Sequence, residues 1–529
     1  MLLLDKALLP LAHRGREARV AFLDVLGAGV DAQVFERTVD DLAHVVDVAL
    51  GLLPPGRDDR ERPLGQPGTG DRIASLMPNR ELLVVHYLAC LRGGLVAVPL
   101  NYRYMWPEIE HALDVSGATT LVLHRERWDD VDRQALAGRL AHGVIEYGAG
   151  EASAGGLEAL AAAPPPPARM PVPDPDAPAA IFFTSGSTGP SKGVTHSRNT
   201  LGAMCASAAD AFGLSDEDVF LPGSSISHIG SFLWTFASLL VGARAIVARS
   251  FDAHGILPLL REHRPTAMAM IPAALAALVR DHDVTSEDLA SLRVCRSGSD
   301  KVALELHDEF ARLAGFPIDE GYGMTEVGLA TLNPPEGLIK RGSIGRPIPG
   351  YDVEVRDERG RESPADTVGR VWIRGDSRTL GYWDNPEASA AIVSGEWLDS
   401  GDLARADDDG YLWFFGRKKQ IIVHDGSNIS PQEVEDALDA HPAVGIAGVI
   451  GIHDAVHGEN VRAYVVLREG AGAVGAHELI DVARERVGYK APEEIVFLDE
   501  MPLNPTGKVD RPGLRRMAED HLHPHEDQG

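Results

Sequence analysis

Residues 71–100 read DRIASLMPNRELLVVHYLACLRGGLVAVPL, and this stretch decides the fold class. A first apolar run stops at Pro78, and apolar residues then recur at helical spacing from residue 81 to residue 92. Gly93 and Gly94 follow, where a helix ends readily, and a second apolar run occupies residues 95–100. A strand, a helix and a strand of these lengths are typical of a βαβ unit, so the stretch predicts a parallel sheet.

Further segments extend this pattern along the chain. Apolar strand candidates lie at residues 179–183, 245–248, 267–271 and 292–295. From residue 351 to residue 374 short strands alternate with Asp and Gly turns, which indicates a small β-rich subdomain. Two stretches rich in proline and glycine, 54–70 and 164–178, are predicted to be loops.

The C-terminal part of the chain has a pattern of its own. Helix candidates at residues 430–440 and 476–487 alternate with strand candidates at 447–452 and 461–467. Ser430 is a suitable N-cap, and Pro431 suits the first helical position. We therefore predict an α/β protein with βαβ-type sheets in a large N-terminal domain, residues 1–416. A small, mobile α+β lid domain is predicted for residues 417–529.

The charge of the chain restricts its partners. With 78 acidic and 50 basic residues the net charge is −28, which repels phosphate backbones and argues against nucleic acid as a partner. The same repulsion acts on any nucleotide ligand. A nucleotide site in this chain therefore requires a local concentration of positive charge.

Cysteine usage and apolar runs bear on the compartment. Cys90, Cys205 and Cys295 are far apart and show no metal-ligand spacing, which indicates structural thiols in a reducing compartment. The apolar start, residues 1–5, is too short for a signal peptide and is interrupted by Asp5. No stretch reaches the roughly 18 apolar residues that a membrane helix needs. We expect a cytoplasmic protein without a membrane span.

A glycine-rich loop follows the strand candidate at residues 179–183. It reads TSGSTGPSKG from Thr184 to Gly193. Its three glycines allow close approach of the backbone to a ligand, and hydroxyls and Lys192 supply further donors. The Walker spacing is absent, and a flexible linker is the alternative, although linkers seldom follow a buried strand and end in lysine. The loop predicts a polyphosphate site.

This loop resembles the signature loop of the adenylate-forming superfamily, which includes acyl- and aryl-CoA synthetases, firefly luciferases and peptide-synthetase adenylation domains. Further segments match in the same order: GYGMTE at 321–326, SGD at 400–402, GR at 416–417 with Gly426 downstream, and PTGK at 505–508. Several ordered matches are far more specific than one. The resemblance implies a small carboxylic acid as substrate, with ATP, Mg²⁺ and coenzyme A as cofactors.

The resemblance also implies roles for individual residues. Tyr322 would pack by the adenine, Thr325 would meet the α-phosphate, and Glu326 would hold Mg²⁺, a hard cation that prefers oxygen ligands. From the residues alone, a loop with a solvated glutamate is an equal alternative. The implied ATP-binding residues are Thr184, Ser185, Gly186, Ser187, Thr188, Gly189, Lys192, Ser297, Gly298, Ser299, Gly321, Tyr322, Gly323, Met324, Asp402 and Arg417.

Three of these positions carry particular interpretations. The segment Ser297-Gly298-Ser299 stands where the family has a small-residue loop against adenine, and it departs from the more usual Gly-Gly or Gly-Glu form. Asp402 resembles the ribose-binding aspartate, since two vicinal hydroxyls can donate to one carboxylate; an Asx-turn residue is the alternative. Arg417 resembles the arginine that contacts ribose and phosphate.

The predicted lid contributes four residues by the same resemblance. Lys508 corresponds to the lysine required for adenylation, and a flexible point charge there can reach both the carboxylate and the α-phosphate. Lys419 occupies the hinge position. His424 and Gly426 would line the pantetheine path after the lid rotates.

His228 lies in the segment SSISHIGS, residues 224–231, where the family often has an aromatic residue or a histidine beside the acyl pocket. A structural histidine is equally compatible with the residues alone. The implied catalytic set is therefore Lys508, Thr325, Glu326 and His228. Phe232 and Trp234 would suit an aryl or medium-length acyl group, or they belong to the core.

The predicted reaction is ATP-dependent formation of an acyl-adenylate with release of pyrophosphate, followed by acyl transfer to coenzyme A. An alternative is a stand-alone adenylation enzyme that delivers the acyl group to an acyl carrier protein or to a nitrogen nucleophile. Further alternatives are a non-catalytic ATP binder, against which the lysine and glutamate argue, and an oxygen-dependent luciferase.

Overall fold

The computed structural model describes residues 19–24, 34–38, 70–148, 174–184, 190–280, 284–299, 302–334, 337–424, 427–454, 456–468, 470–504 and 507–522. The predicted loop at 54–70 and the proline-rich part at 164–173 lie outside these residues, apart from Gly70.

The strands, in chain order, are β1 Arg19–Asp24, β2 Val34–Thr38, β3 Arg72–Leu76, β4 Val96–Pro99, β5 Thr120–His124, β6 Gly143–Tyr147, β7 Pro178–Phe183, β8 Gly193–Ser197, β9 Val219–Gly223, β10 Arg244–Val247, β11 Ala267–Met270, β12 Val294–Ser297, β13 Asp319–Met324, β14 Gly328–Leu332, β15 Arg346–Pro347, β16 Tyr351–Arg356, β17 Gly369–Gly375, β18 Gly381–Tyr382, β19 Val393–Ser394, β20 Trp397–Ala406, β21 Leu412–Arg417, β22 Ile422–His424, β23 Ser427–Ile429, β24 Val444–Asp454, β25 Gly458–Leu467 and β26 Glu494–Phe497.

The α-helices are α1 Glu81–Gly93, α2 Trp106–Ser116, α3 Arg133–Arg139, α4 Arg198–Phe212, α5 Ile229–Val241, α6 Ala253–His263, α7 Pro272–Arg280, α8 Ser286–Leu289, α9 Leu304–Ala314, α10 Pro386–Ile392, α11 Pro431–Asp439, α12 Ala476–Val487 and α13 Arg511–Leu522. Short 3₁₀ helices lie at Arg125–Asp130, Lys418–Gln420 and Gly488–Lys490.

Two large sheets form the N-terminal part of the molecule. The nine-stranded sheet has the order β15-β14-β13-β12-β11-β9-β10-β1-β2, and the seven-stranded sheet has the order β18-β8-β7-β4-β3-β5-β6. Strands β3 and β4 are parallel, and α1 connects them as the opening stretch predicts. The helix ends at Gly94, whose φ of +69° is the left-handed conformation that glycine adopts without strain.

The main core lies between the two sheets. Buried residues of α1, α4 and α5 pack there against strands of both sheets. Helix α5 is apolar almost all round because it is enclosed by both layers. Separate cores cover the outer faces, with α6, α7 and α9 on the nine-stranded sheet and α2 and α3 on the seven-stranded sheet.

The remaining two sheets match the other predicted regions. Strands β16, β17, β20, β19 and β21 form an antiparallel sheet, which confirms the β-rich subdomain and extends it to Arg417. Strands β22 to β26 form a sheet with α11 and α12 packed on it, around cores that contain only residues from 422 onward. The boundary at residue 417 stays a prediction.

The predicted elements agree with the observed ones within a few residues. Ser430 caps α11, because its hydroxyl accepts from the Glu433 amide, and α12 begins and ends where predicted. The strand predicted at 292–295 instead starts at Val294, since Leu292 closes the preceding turn through its amide. Within the described ranges, the helices are all too short or too polar to cross a membrane.

We expect Gly345→Ala to destabilise the fold far more than Gly360→Ala. Both glycines have a left-handed φ, +81° and +75°, so both variants carry a backbone cost of about 1–2 kcal/mol. A Cβ at Gly345 would lie 1.8 Å from the Leu332 carbonyl carbon, whereas a Cβ at Gly360 meets no atom within 4 Å. Urea denaturation of both variants measures the difference, and equal midpoints would contradict the observed strand packing.

Candidate active site

The glycine-rich loop closes a hairpin between β7 and β8. Phe183 pairs with Gly193 across the strands, and the Thr184 amide donates to the Lys192 carbonyl at 3.1 Å. The Lys192 amide donates in turn to Thr184 Oγ1 at 3.3 Å, so both ends of the loop are joined. The loop therefore leads from a strand into a strand. Five predicted phosphate ligands lie outside the described residues: Ser185, Gly186, Ser187, Thr188 and Gly189.

The second predicted motif forms the tight hairpin between β13 and β14. Thr325 and Glu326 occupy the turn. A Cβ at Gly323 would lie 1.9 Å from the Gly328 carbonyl oxygen, and a Cβ at Gly321 would lie 2.9 Å from a carbonyl oxygen of β14. Only glycine allows the two strands to approach this closely. The glycines of this motif are thus required by packing.

The adenine-loop candidate at the end of β12 lies beside this hairpin. A Cβ at Gly298 would lie 3.0 Å from the Gly321 carbonyl oxygen, which shows how closely the two segments pass. The Ser297 hydroxyl donates to the Met270 carbonyl at 3.0 Å, so it is used within the sheet. Ser299 has φ of +71°, a left-handed backbone conformation that favours glycine.

Tyr322 and Asp402 meet in the interior. Asp402 lies opposite Arg417 across β20 and β21, and Arg417 Nε is 3.1 Å from Asp402 Oδ1. The Tyr322 hydroxyl donates to Asp402 Oδ2 at 2.7 Å. Asp402 is only 2% exposed, and this burial raises its pKa although Arg417, the tyrosine hydroxyl and the charge of Lys508 oppose the shift. Tyr322 is therefore in contact with Asp402, the residue predicted to bind the ribose.

Glu326 is held by a residue that the sequence did not single out. The Tyr382 hydroxyl donates to Glu326 Oε1 at 2.8 Å, and Lys192 Nζ lies 4.7 Å from the centroid of the same tyrosine ring. Burial raises the pKa of Glu326, while the tyrosine donor and the charges of Arg417 and Lys192 oppose the rise. Met324, the last residue of β13, is half-buried next to this turn.

His196 fixes the backbone of the same turn. Its Nε2 lies 2.8 Å from the Thr325 carbonyl oxygen, and its Nδ1 lies 3.1 Å from Thr200 Oγ1. A carbonyl oxygen can only accept, so Nε2 carries the proton. Complete burial lowers the pKa of His196 to about 4, which keeps the ring neutral. A neutral imidazole thus ties β8 to the predicted α-phosphate residue.

The lysine of the lid reaches this region from another domain. Lys508 lies in a turn in which its amide donates to Asn504 Oδ1 at 3.1 Å. A Cβ at Gly507 would lie 3.5 Å from Ile271 Cδ1, so the turn packs on the N-terminal domain beside β11. The charge of Lys508 opposes the rise in the pKa of Asp402 that burial causes. Lys192, Arg417 and Lys508 therefore converge on one site.

His228 lies at the start of α5, as its N-cap residue. Its Nε2 is 3.1 Å from Asn101 Nδ2, which can donate to it. Burial lowers the pKa of His228 to about 4, and the charges of Lys508 and Arg103 act in the same direction. The ring is therefore neutral and close to the lid lysine. Phe232 and Trp234 on the same helix are buried in the main core.

The other predicted lid residues lie apart from these contacts. Lys419 is exposed in a one-turn 3₁₀ helix. His424 donates from Nδ1 to the Glu459 carbonyl at 2.7 Å, and its ring stacks on His457 with centroids 5.2 Å apart. These partners all belong to the lid. Gly426 lies outside the described residues.

Three residues of this region were missed by the sequence reasoning. Tyr382 and Thr379 come from the segment around β18, which pairs with β8, and the Thr379 amide donates to the Glu326 carbonyl at 2.7 Å. The third is His196, three residues beyond Gly193. The only sequence signal was the aromatic pair that begins at Tyr382, and it is equally typical of a core segment.

The residues present fit a magnesium ion whose ligands would come mainly from the phosphates of a nucleotide. Within the described ranges, His, Cys, Asp and Glu residues form no cluster of three or more that could hold a metal by itself. Glu326 is a buried carboxylate that could give one oxygen ligand to a hard cation, with phosphate oxygens and water as the other ligands. The nearby charges of Lys192 and Arg417 would attract those phosphates.

Two family models match the chain. Residues 63–383 match the family model described as AMP-binding enzyme, and residues 433–508 match the model for the AMP-binding enzyme C-terminal domain. A feruloyl-CoA synthase of an Amycolatopsis species is 33% identical over 451 residues, 84% of this chain and 89% of that protein. A fatty acid–[acyl-carrier-protein] ligase, ScoC of Streptomyces coeruleorubidus, is 30% identical over 498 residues and 92% of each chain.

Solved structures match the chain over almost its whole length. ATP-bound MatB from Rhodopseudomonas palustris matches with a TM-score of 0.86 at 27% identity, covering 98% of this chain and all of that one. The apo form of the same protein, over 98% of this chain and 99% of its own, gives 0.73. The structure as a whole is therefore more similar to the ATP-bound form than to the apo form.

We expect Tyr322→Phe to cost more stability than Tyr87→Phe. Each variant keeps a buried ring and loses one hydroxyl, which donates to the Asp402 carboxylate in the first case and to the neutral Ile226 carbonyl at 2.9 Å in the second. A hydrogen bond to a charged group contributes about 1.5–3 kcal/mol, against about 0.5–1.5 kcal/mol for a neutral one. Chemical denaturation of both variants gives the comparison, and a larger loss for Tyr87→Phe would show that Asp402 is uncharged.

Proposed function

The chain belongs to the family of AMP-binding enzymes, and on that basis we propose that it activates a carboxylic acid with ATP and transfers the acyl group to coenzyme A. The observation that carries the proposal is the convergence of Lys192, Arg417 and Lys508 on the buried carboxylates Glu326 and Asp402. Such a site offers cations to a polyphosphate and carboxylates to a metal ion and a ribose.

In the first step a carboxylate oxygen of the acid attacks the α-phosphorus of ATP. The new P–O bond forms as the bond to pyrophosphate breaks, and pyrophosphate leaves with the electron pair. Lys508 would stabilise the charge that develops between the carboxylate and the α-phosphate, and Lys192 would hold the departing phosphates. Bound through Glu326, Mg²⁺ would supply neutralisation of phosphate charge.

The second step needs a different face of the lid. The thiol sulfur of coenzyme A attacks the acyl carbon, the bond to AMP breaks, and the thiol proton passes to solvent. We place the hinge at Lys419, between the domains 1–416 and 417–529, and the pantetheine path beside His424 and Gly426. The location of His424 among lid residues, apart from the ATP motif, supports a face that arrives only after rotation.

An acyl carrier protein is the second candidate acceptor, because the similarity to the carrier-protein ligase spans 92% of both chains. Relatives named for feruloyl-CoA and for indoleacetate favour an aryl acid, whereas others are named for fatty acids. We propose a cytoplasmic location, which the three free, buried cysteines of the described residues support.

The direct test is pyrophosphate release with ATP, Mg²⁺ and a panel of aryl and fatty acids, with and without coenzyme A or a phosphopantetheinylated carrier protein. We expect one class of acid to support release, and coenzyme A to accelerate consumption of the acyl-adenylate. Acceleration by the carrier protein alone would assign the acceptor to that class. No release with any acid would refute the function.

The two half-reactions should respond oppositely to changes in the lid. We expect Lys508→Ala to abolish acyl-AMP formation, because the developing charge loses its cation, yet to convert supplied acyl-adenylate to the thioester. Gly426→Trp should do the reverse by obstructing the pantetheine path. Lys419→Pro should resemble Gly426→Trp, since proline fixes the φ angle that rotation changes. Single-turnover assays of each half-reaction give the measurement.

The matched control for these variants is Arg484→Ala, which removes an exposed lid cation whose partner is Asp481 at 3.3 Å. Both half-reactions should continue at the parental rate in that variant. If Lys508→Ala and Gly426→Trp impair both steps equally, the lid does not alternate between two faces.

We expect Glu326→Gln to raise the Mg²⁺ concentration required for pyrophosphate release, since a neutral amide is a poorer ligand for a hard cation. The maximal rate at saturating Mg²⁺ should recover partly. Mg²⁺ titrations of variant and parent that superimpose would exclude Glu326 as a ligand.

A further inference from the structure

Tyr382 stands between two oppositely charged groups of the proposed ATP site. Its hydroxyl donates to Glu326 Oε1 at 2.8 Å, and its ring face carries Lys192 Nζ at 4.7 Å from the centroid. Lys192 and Glu326 form no ion pair with each other, although the charge of Lys192 acts on Glu326. One side chain thus holds a carboxylate through its edge and an ammonium through its face.

The backbone fixes this tyrosine firmly. Strand β18 pairs with β8, so Tyr382 lies opposite Val194, just beyond the glycine-rich loop. The Trp383 amide donates to the Gly193 carbonyl at 2.7 Å, and the Tyr382 amide donates to Ser389 Oγ at 2.8 Å. The backbone of Tyr382 therefore has a defined position relative to β8.

The same segment also contacts the turn between β13 and β14, which carries Glu326. The Thr379 amide donates to the Glu326 carbonyl at 2.7 Å, and the Thr379 hydroxyl donates to the Thr195 carbonyl at 2.6 Å. The segment 379–382 consequently joins β8 to the turn after β13 through both backbone and side chain. Its geometry couples the loop that carries Lys192 to the carboxylate of Glu326.

We propose that Tyr382 is a positioning residue for Mg·ATP: its hydroxyl orients the Glu326 carboxylate toward the metal, and its ring keeps the Lys192 ammonium on the phosphate side. Without the ring, the ammonium and carboxylate could neutralise each other and leave neither for the ligand. The phenol is an O–H donor and the carboxylate can only accept, so the direction of this hydrogen bond is fixed. The proposal rests on the proposed function only for the identity of the ligand.

The two parts of the tyrosine can be separated by substitution. Tyr382→Phe removes the hydroxyl and keeps the ring, so it should weaken the Mg²⁺-dependent part of ATP binding by roughly tenfold, the loss expected for one charged hydrogen bond. Binding of metal-free ATP should stay unchanged, because Lys192 keeps its place. Tyr382→Leu removes both parts and should weaken ATP binding with and without the metal.

The control is Tyr411→Phe, because Tyr411 also donates its hydroxyl to an oxygen and also has a lysine ammonium over its ring. Tyr411 donates its hydroxyl to the Leu338 carbonyl, and Lys340 Nζ lies 4.6 Å from its ring centroid. This variant should bind ATP as the parent does under both conditions. Any general effect of losing a tyrosine hydroxyl beneath a lysine would appear here as well.

The measurement is isothermal titration calorimetry of the full-length protein with ATP, in EDTA and across a Mg²⁺ series, accompanied by the KM for ATP and kcat of pyrophosphate release. The expected result is a higher Mg²⁺ requirement in Tyr382→Phe, with parental affinity in EDTA. Equal loss of affinity with and without Mg²⁺, or superimposed Mg²⁺ series, would overturn the proposal. Because calorimetry needs no acid, parental Mg·ATP binding without pyrophosphate release would reject the proposed function and leave the role of Tyr382 tested.

Discussion

The binding of a polyanion by a chain with a net charge of −28 requires that cations be concentrated at one place. The structure meets this requirement with residues from three distant segments. Lys192 comes from the end of the glycine-rich hairpin, Arg417 from the end of β21, and Lys508 from a turn of the lid. Both large sheets, the β-rich sheet and the lid must be correctly assembled before these charges meet.

The buried carboxylates depend on the same cations. Burial raises the pKa of Asp402 and of Glu326, because a charged carboxylate loses its hydration in the interior. The charge of Arg417 opposes the rise in pKa at both carboxylates. Lys508 opposes it at Asp402, and Lys192 opposes it at Glu326. The cations therefore favour the charged state of both buried carboxylates, which keeps the carboxylates available as acceptors.

Two tyrosines link this electrostatic arrangement to the sheets. Tyr322 donates to Asp402 and joins the nine-stranded sheet to the β-rich sheet, while Tyr382 donates to Glu326 and joins the seven-stranded sheet to the nine-stranded one. His196 adds a neutral donor to the Thr325 carbonyl. Each link is short and directional, so a shift of one sheet would disturb the carboxylate that the other sheet presents.

The sequence by itself determined the fold class, most element positions and the family. The alternation of apolar runs at 71–100 predicts its βαβ unit because side-chain periodicity follows directly from local geometry. The glycines at 321 and 323 and the lysines at 192 and 508 could be read as motifs because their spacing is local. The motifs could not predict which of their residues contact one another in the folded protein. The pairing of β18 with β8 and the hydrogen bonds from Tyr382 to Glu326 and from His196 to Thr325 join residues that are between 56 and 188 positions apart. The burial that shifts each pKa arises from the same long-range packing. Only the tertiary structure decided these, because hydrogen bonding and desolvation depend on distance in space and leave no period along the chain.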